Sequence, residues 1–330
     1  MRTFPGRRDF VQALALAALP ALASSRAFAQ EAPYPNHAVK LIVPNAPGSS
    51  VDTIGRRLGV ALAAVLGQSV FIDNKAGAAG AMGVDAGRIS APDGYTLIVA
   101  SSSSATVAPL LQKGIAYDPL KDFDFVSLVA VLPNVLVCNT ALGVDSVSGL
   151  VGYAKANPGK VNMASAGPGS VSHLAGVALT SAAGFESLHV PYKGGSQSVA
   201  SVVSGETHWT LTPAPAAMSL VKAGRLRALG HSLARGTHPL SDIPAIADTV
   251  AGFEYGSWIG LMAPKGLPPA VAEKLRAAVA ASLRQPGLRE AFEANGAVPT
   301  ASTADEFRAY LVTDIEQNRK VIRIADLKPE

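Results

Sequence analysis

Short apolar runs alternate along most of this chain with longer segments in which apolar residues recur every three or four positions. The first pair is the run 39–43 followed by Ile54, Leu58, Leu62 and Leu66. A run of this length is typical of a buried strand, and the wider spacing is typical of a helix with one buried face. Regular alternation of the two predicts an α/β protein with helices packed on parallel sheets.

The same pattern predicts strands at 69–74, 96–100, 160–166, 188–190, 207–211 and 226–229, and helices through 84–89, 148–156, 174–179, 199–203, 218–223, 269–283 and 305–323. Two β-rich runs, 125–138 and 255–262, are candidate crossovers between domains. We therefore predict two α/β lobes joined by two crossover strands, with a ligand cleft between them. The predicted boundaries are 30–131 plus 257–330 for lobe 1 and 132–256 for lobe 2.

The first junction between a strand and a helix reads LIVPNAPGSSVD over 41–52. Pro44, Pro47 and Gly48 end the strand, and Ser49 and Asp52 fit the S-x-x-D signature of a helix start. Such a junction leaves unpaired backbone N–H groups and a partial positive charge at one point. Small anions bind at such points.

A second junction repeats this arrangement about 120 residues later. A strand at 160–166 is followed by the turn Gly167-Pro168-Gly169-Ser170 and a helix, with Ser170 as its predicted N-cap. Two such loops facing one another would hold a carboxylate from both sides. The alternative is that both are ordinary turns whose Gly, Pro and Ser residues serve geometry only, and spacing alone does not decide between the two.

The first 29 residues have the composition of an export signal. Arg7-Arg8-Asp9-Phe10 is a twin-arginine pattern, an apolar stretch of about 13 residues follows, and Ala27-Phe28-Ala29 is a small-x-small cleavage site. The alternative, a membrane anchor, needs about 20 apolar residues. We therefore predict a cleaved signal peptide over 1–29 and a periplasmic destination.

Charge and composition change the picture little after the signal is set aside. The whole chain has a formal net charge of +4, and residues 1–29 supply +3 of it, from four arginines and Asp9, which leaves +1. A nucleic-acid partner is therefore not expected. The content of 48% hydrophobic and 16% charged residues suits a globular protein with a large core. Cys138 is the only cysteine, so no internal disulfide is possible, and a buried packing thiol is expected.

No catalytic or metal-binding motif stands out. The six histidines show no H-x-x-x-H or H-E-x-x-H spacing, no G-x-S-x-G elbow occurs, and the glycines at 77, 80 and 83 do not form the dinucleotide fingerprint. We expect no metal, no cofactor and no catalysis. A secreted hydrolase is a minor alternative.

Seven segments in order carry a family resemblance: VPNAPGSSVD (43–52), APDGYTLIVAS (91–101), YDPLKDFDFVSLVA (117–130), ASAGPGSVSHLAG (164–176), HVPYKGG (189–195), KAGRLRALG (222–230) and LMAPKGLP (261–268). With them the chain resembles the Bug-type (TctC-like) extracytoplasmic receptors of tripartite tricarboxylate transport systems. The resemblance implies a two-lobed type II periplasmic-binding-protein fold without catalysis. It also implies a small carboxylate ligand, a membrane transporter as partner, and a monomer.

The resemblance also implies which residues bind the ligand. Carried over position by position, they are Asn45, Pro47, Gly48, Ser49, Ser50 and Asp52 on the first loop; Ser102 after the third strand; Ser165, Gly167, Gly169, Ser170 and His173 on the second loop; and Tyr192, Lys193, Gly194 and Thr212. Three of these residues have another reading: His173 and Asp52 as helix-start residues, and Lys193 as a solvated side chain. Trp209 and Trp258 are expected to be core or hinge residues rather than stacking platforms for a ligand.

Some positions depart from the family pattern. Ser49 stands where the family usually has the second glycine of P-F-P-P-G-G, and Asn45 stands for an aromatic residue. Thr212-Pro213 replaces a frequent Asp-Asn, and His208 a frequent Asp. Fewer acidic groups favour a plain organic or aromatic acid over an amino acid as ligand. A receptor that presents its ligand to a signalling sensor would use the same pocket, so the sequence leaves transport and sensing both open.

Overall fold

A computed structural model describes residues 33–233, 240 and 242–329. The predicted signal peptide and its cleavage site lie outside these residues. The strands are β1 (Val39–Val43), β2 (Val70–Asn74), β3 (Thr96–Ser101), β4 (Phe123–Leu132), β5 (Asn134–Asn139), β6 (Asn162–Ser165), β7 (Leu188–Pro191), β8 (Trp209–Pro213), β9 (Leu226–His231), β10 (Ser257–Pro264) and β11 (Val298–Pro299).

The helices are α1 (Ser50–Leu66), α2 (Ala81–Arg88), α3 (Ala108–Leu111), α4 (Val147–Ala156), α5 (Val171–Ala183), α6 (Gly195–Ser204), α7 (Ala214–Lys222), α8 (Pro269–Leu283), α9 (Pro286–Glu293) and α10 (Ala304–Ile324). A π-helical turn, Ser102–Val107, joins β3 to α3. β11, α9 and this turn have no counterpart in the predicted elements, whereas the long predicted strands and helices are present.

Two mixed sheets form the two lobes. The larger has the order β11-β4-β10-β3-β1-β2, and the smaller β7-β6-β8-β5-β9. β1 pairs in parallel with β2 and β3, and β6 with β7 and β8, whereas β10 and β5 run antiparallel to their neighbours. We call the parts built on the larger and smaller sheets lobe 1 and lobe 2. This confirms the predicted two-lobed α/β fold, while the exact boundaries drawn from the sequence stay a prediction.

Two chain crossings connect the sheets. β4 in lobe 1 is separated from β5 in lobe 2 by Pro133 alone. The strand is interrupted here because proline has no backbone N–H to donate to a neighbouring strand. The return runs from β9 to β10 through residues 232–256. In addition, Val321 and Ile322 near the end of α10 pack into the core of lobe 2, so the last helix also spans both lobes.

The core of lobe 1 is built around Phe307 of α10. Its ring meets Phe125 and Trp258 edge to face, with ring centroids 5.2 Å apart in both pairs. This packing requires Gly260 in β10, because a Cβ atom there would lie 2.2 Å from the Phe307 ring. Helix α10 is therefore seated directly on the strand that returns from lobe 2. No helix among the described residues is long and apolar enough to cross a membrane.

Candidate functional site

Three helix N-termini meet at one cavity between the lobes. The helices are α1 from lobe 1 and α5 and α6 from lobe 2, and the first two residues of each line the cavity. The lining consists of Asn45, Ser49, Ser50, Val51, Ser101, Ser103, Leu132, Ala166, Ser170, Val171, Ser172, Gly195, Ser196, Thr212, Pro213, Ala216, Ser257, Trp258 and Ile259. A helix N-terminus carries unpaired N–H groups and a partial positive charge, so all three helices favour an anion here.

The first loop is held by Asp52, which is 3% exposed. Its carboxylate accepts hydrogen bonds from the Gly48 amide at 2.9 Å, from Arg56 Nε at 2.9 Å and from Asn74 Nδ2 at 2.8 Å. Ser49 is the N-cap of α1, and its Oγ accepts from the Asp52 amide at 3.2 Å. The amides of Ser50 and Val51 have no acceptor among the described residues, so they are available to a ligand.

The second loop repeats this arrangement with different supports. Ser170 is the N-cap of α5 and accepts from the His173 amide at 3.3 Å, while Ser172 Oγ accepts from the Ala166 amide at 2.9 Å. Within the part of the chain described, the amides of Val171 and Ser172 have no acceptor. The second loop therefore offers two backbone donors and the Ser172 hydroxyl at the cavity, while the Ser170 hydroxyl donates to the Gly167 carbonyl at 2.7 Å.

Helix α6 starts without any side-chain cap. Its N-cap is Gly194, and the amides of Gly195 and Ser196 have no acceptor in the described regions. The Ser196 hydroxyl donates across the cleft to the Gly48 carbonyl at 3.4 Å. The third helix start thus lies against the first loop of the other lobe. The sequence analysis named Tyr192, Lys193 and Gly194 on this turn, but Gly195 and Ser196 are the residues at the cavity.

Further polar groups at the cavity come from Asn45 and from the serines after β3. The Asn45 Oδ1 atom is buried without a hydrogen-bond partner in the described structure. Ser101 and Ser103 line the cavity, whereas Ser102, which is 1% exposed, does not. The remaining wall is largely apolar, with Leu132 and Trp258 among its residues, and its polar residues are Thr212 and Ser257. Among the described residues, the lining contains no Asp, Glu, Lys, Arg or His.

His173 and His189 form a stacked pair beneath the second loop, with ring centroids 3.9 Å apart and planes 9° from parallel. His173 Nδ1 accepts from the Gly169 amide at 3.1 Å, and His189 Nε2 contacts Ser165 Oγ at 2.6 Å. Burial, with a smaller effect from His189, lowers the pKa of His173 to about 4. Burial also lowers the pKa of His189. Both rings are therefore neutral at pH 7 and support the loop.

The predicted site residues thus divide into two groups. Asn45, Ser49, Ser50, Ser170 and Thr212 line the cavity. The others lie behind it or beside it, where several hold the loops: Pro47, Gly48, Asp52, Ser102, Ser165, Gly167, Gly169, His173, Tyr192, Lys193 and Gly194. The ligand-binding role of all of them stays a prediction.

The two lobes contact each other beside the cavity, which has a volume of about 90 Å³. This is several times the roughly 10–15 Å³ that holds a single water, so the cavity has room for a few waters or one small ligand. A larger hollow of about 620 Å³ lies by α10 and the second crossing. Its lining includes Glu254, Glu306 and Asp314, which repel anions, and Glu306 already caps the start of α10. The smaller cavity is therefore the candidate site.

Comparison with known proteins points to one family. The model of the tripartite tricarboxylate transporter family receptor matches residues 54–327. Protein BugT of Bordetella pertussis is 36% identical over 293 residues, which cover 88% of this chain and 90% of that protein.

Two solved structures from Rhodopseudomonas palustris are similar throughout. Rpa4515 with adipate has a TM-score of 0.86 and 30% identity, and the match covers 90% of this chain and all of that one. MatC with bound malate has a TM-score of 0.79 and 28% identity, over 88% of this chain and all of that one.

Proposed function

Because this chain belongs to the tripartite tricarboxylate transporter receptor family, we propose that it captures a small carboxylate and delivers it to a tripartite membrane transporter. The observation that carries the proposal is the convergence of three helix N-termini on one cavity with no charged side chain in its described lining. Such a site holds a ligand but offers no nucleophile paired with a base. The proposed role is therefore binding without catalysis.

The donors are sufficient for useful affinity. A micromolar dissociation constant corresponds to about −8 kcal/mol. Hydrogen bonds to a charged group contribute about 1.5–3 kcal/mol each, and a helix end contributes about 0.3–1 kcal/mol, or about 2 when partly buried. Four of the six free amides and the three helix ends contribute about 7–18 kcal/mol together, and the upper part of this range reaches what is needed after the several kcal/mol lost on association. An arginine is not required.

The cavity favours a plain acid over an amino acid. An ammonium group is stabilised by a carboxylate, and the described lining has no carboxylate; its unpartnered acceptor is the neutral Asn45 Oδ1 atom. The side formed by Leu132, Trp258 and Ile259 suits hydrocarbon instead. Two structural relatives contain adipate and malate, which are both dicarboxylates without an amino group. We therefore propose a short mono- or dicarboxylate as the ligand.

A ligand screen tests this function. Purified protein without the first 29 residues is heated with succinate, adipate, malate, benzoate, citrate and glutamate, and hits are measured by isothermal titration calorimetry. A ligand that binds only the folded state stabilises it by RT ln(1 + [L]/Kd). At least one short acid is expected to raise the melting temperature, with glutamate weaker. If no acid changes the melting temperature, the proposal is wrong.

The proposed export is tested separately. We propose that the chain is translocated by its twin-arginine signal and cut after Ala29. The periplasmic protein should begin at Gln30 by mass spectrometry, and Arg7→Lys together with Arg8→Lys should retain the precursor in the cytoplasm. An uncut periplasmic chain would contradict cleavage, and export of the double variant at the wild-type rate would contradict the twin-arginine route.

A further inference from the structure

Asp314 on α10 is a buried carboxyl group without a cationic partner. It is 6% exposed, and no ion pair to it is found among the described residues. Its donors are neutral: Thr106 Oγ1 at 2.7 Å and Trp258 Nε1 at 2.8 Å, both bonded to Oδ2. Burial raises the pKa of Asp314, although these hydrogen bonds oppose the rise. Such burial is costly, and an apolar residue would fill the space more cheaply.

One donor lines the ligand cavity, and the other lies in a turn that contributes to its lining. Trp258 is fully buried and is among the residues that line the cavity, and its indole N–H donates to Asp314. Thr106 lies in the π-helical turn that follows Ser101, and Ser101 and Ser103 also line the cavity. One carboxylate oxygen therefore fixes two parts of the wall that are about 150 residues apart in sequence.

The same network continues to the crossings between the lobes. Asn318, one turn after Asp314 on α10, donates from Nδ2 to the Asp314 carbonyl at 2.8 Å and accepts from the Tyr255 hydroxyl. Tyr255 lies in the second crossing, and its carbonyl accepts from Asn134 Nδ2 at 2.6 Å. Asn134 begins β5, directly after Pro133 in the first crossing. A continuous chain of hydrogen bonds thus joins the cavity wall to both crossings.

We propose that Asp314 is a positioning residue for ligand binding, which acts through Trp258 and the serine turn without contacting the ligand. Its acceptor oxygen holds the indole ring and Thr106 in the arrangement that the closed cavity requires. Loss of the acceptor leaves the buried Trp258 indole N–H unpaired and leaves Thr106 bonded only to the Ser102 carbonyl, 2.6 Å away, so the link between the two elements is broken. This inference rests on the proposed function for the ligand, but the order of the wall is measurable without one.

Two variants separate the acceptor from the charge. Asp314→Asn retains one oxygen that accepts from both donors and removes the charge, whereas Asp314→Leu has nearly the same size and no acceptor. Ser187→Ala is the matched control, because Ser187 Oγ accepts from the indole of Trp209, 3.1 Å away and remote from the cavity. With adipate as probe, D314L should lose at least tenfold in affinity, D314N at most threefold, and S187A nothing.

The order of the cavity wall can be measured without a ligand from the spectroscopic signals of Trp258. In a Trp209→Phe background Trp258 is the only tryptophan, since the chain has two. D314L should broaden its near-ultraviolet circular dichroism band and increase quenching of its emission by acrylamide, whereas D314N should keep both. The inference is overturned if D314L leaves both signals unchanged, or if D314N and D314L lose affinity equally. If wild-type protein does not bind adipate, the proposed function loses support and the Trp258 signals alone decide this inference.

Discussion

Asp52 and His173 support the first and second loops of the cavity, and neither adds a charge to the cavity lining. Burial raises the pKa of Asp52, but hydrogen bonds from Arg56, Asn74 and Gly48 outweigh it and hold the pKa below its usual value. The carboxylate is therefore ionised and offset by the Arg56 guanidinium 2.9 Å away, so it positions Gly48 with little repulsion of an anion. His173 supports the other loop as a neutral acceptor.

Replacement of His173 should change how stability depends on pH. Folding lowers its pKa from 6.5 to about 4. Between these two pH values the unfolded chain binds a proton that the folded chain does not bind, so stability decreases as the pH decreases. From pH 7 to pH 5 this costs about 2 kcal/mol. His173→Asn keeps an acceptor for the Gly169 amide and does not titrate. Urea unfolding at both pH values should show a smaller loss in the variant than in the wild type, and equal losses would contradict this role for His173.

The sequence indicated which segments lie near the cavity better than it indicated which residues of those segments line it. From the serines after β3, the sequence analysis named only Ser102 as a ligand-binding residue, whereas Ser101 and Ser103 line the cavity. A π-helical turn sets these orientations, and nothing in a run of four serines indicates one. Leu132 and Ser257 were not named, and Trp258 was interpreted as a core or hinge residue, because these residues reach the cavity only when both sheets and both crossings have assembled.

Helix starts are the elements that give the cavity its chemistry, and two of the three were predictable. Ser49 and Ser170 follow a strand and a glycine-containing turn and have the N-cap side chain that marks a start. The third start, at Gly194, has no capping side chain and therefore no such signal. The strands and long helices were also predictable from local sequence, because the spacing of their apolar residues indicates each of them. The two-residue strand β11 has too few residues to leave a pattern.

A charge placed at the start of α1 should separate ligand binding from stability. Ser50→Asp puts a carboxylate at the first residue of the helix, where the helix dipole favours it. Toward a bound carboxylate about 5 Å away, repulsion at an effective dielectric constant of about 20 is about 3 kcal/mol. Binding of the acid found in the screen should weaken roughly a hundredfold, while the melting temperature of the free protein does not fall.

Ser50→Asn is the matched control for this change, because it has the same shape without the charge. It should bind within a few-fold of the wild type. If S50D also binds normally, the α1 start is not part of the anion site, and the proposed convergence of three helix ends on the ligand would be reduced to two.

At the scale of the whole molecule, the structure is a closed form that is held by contacts outside the cavity. Ser196 bonds to Gly48 across the opening, and Lys222 at the end of α7 in lobe 2 donates from Nζ to the Ala294 carbonyl at 2.5 Å, at the C-terminus of α9 in lobe 1. Gly296 lies so close to α7 that a Cβ atom would be 2.7 Å from Ala214 Cβ. These contacts join the two lobes outside the cavity, so we expect them to stabilise this form relative to one with the lobes apart.

Loss of the Lys222 contact should therefore weaken binding although Lys222 does not line the cavity. A cation at a helix C-terminus is worth about 0.3–1 kcal/mol, which corresponds to roughly a two- to fivefold change in affinity. Because the contact holds the closed state, Lys222→Met should act mainly by raising the ligand dissociation rate in stopped-flow measurements. Lys121→Met removes another exposed lysine whose partner, Asp118, is in the same lobe, so it should leave that rate unchanged. If both variants release ligand at the wild-type rate, closure depends on the cavity alone, and the network through Asp314 becomes the only proposed link between the ligand and the crossings.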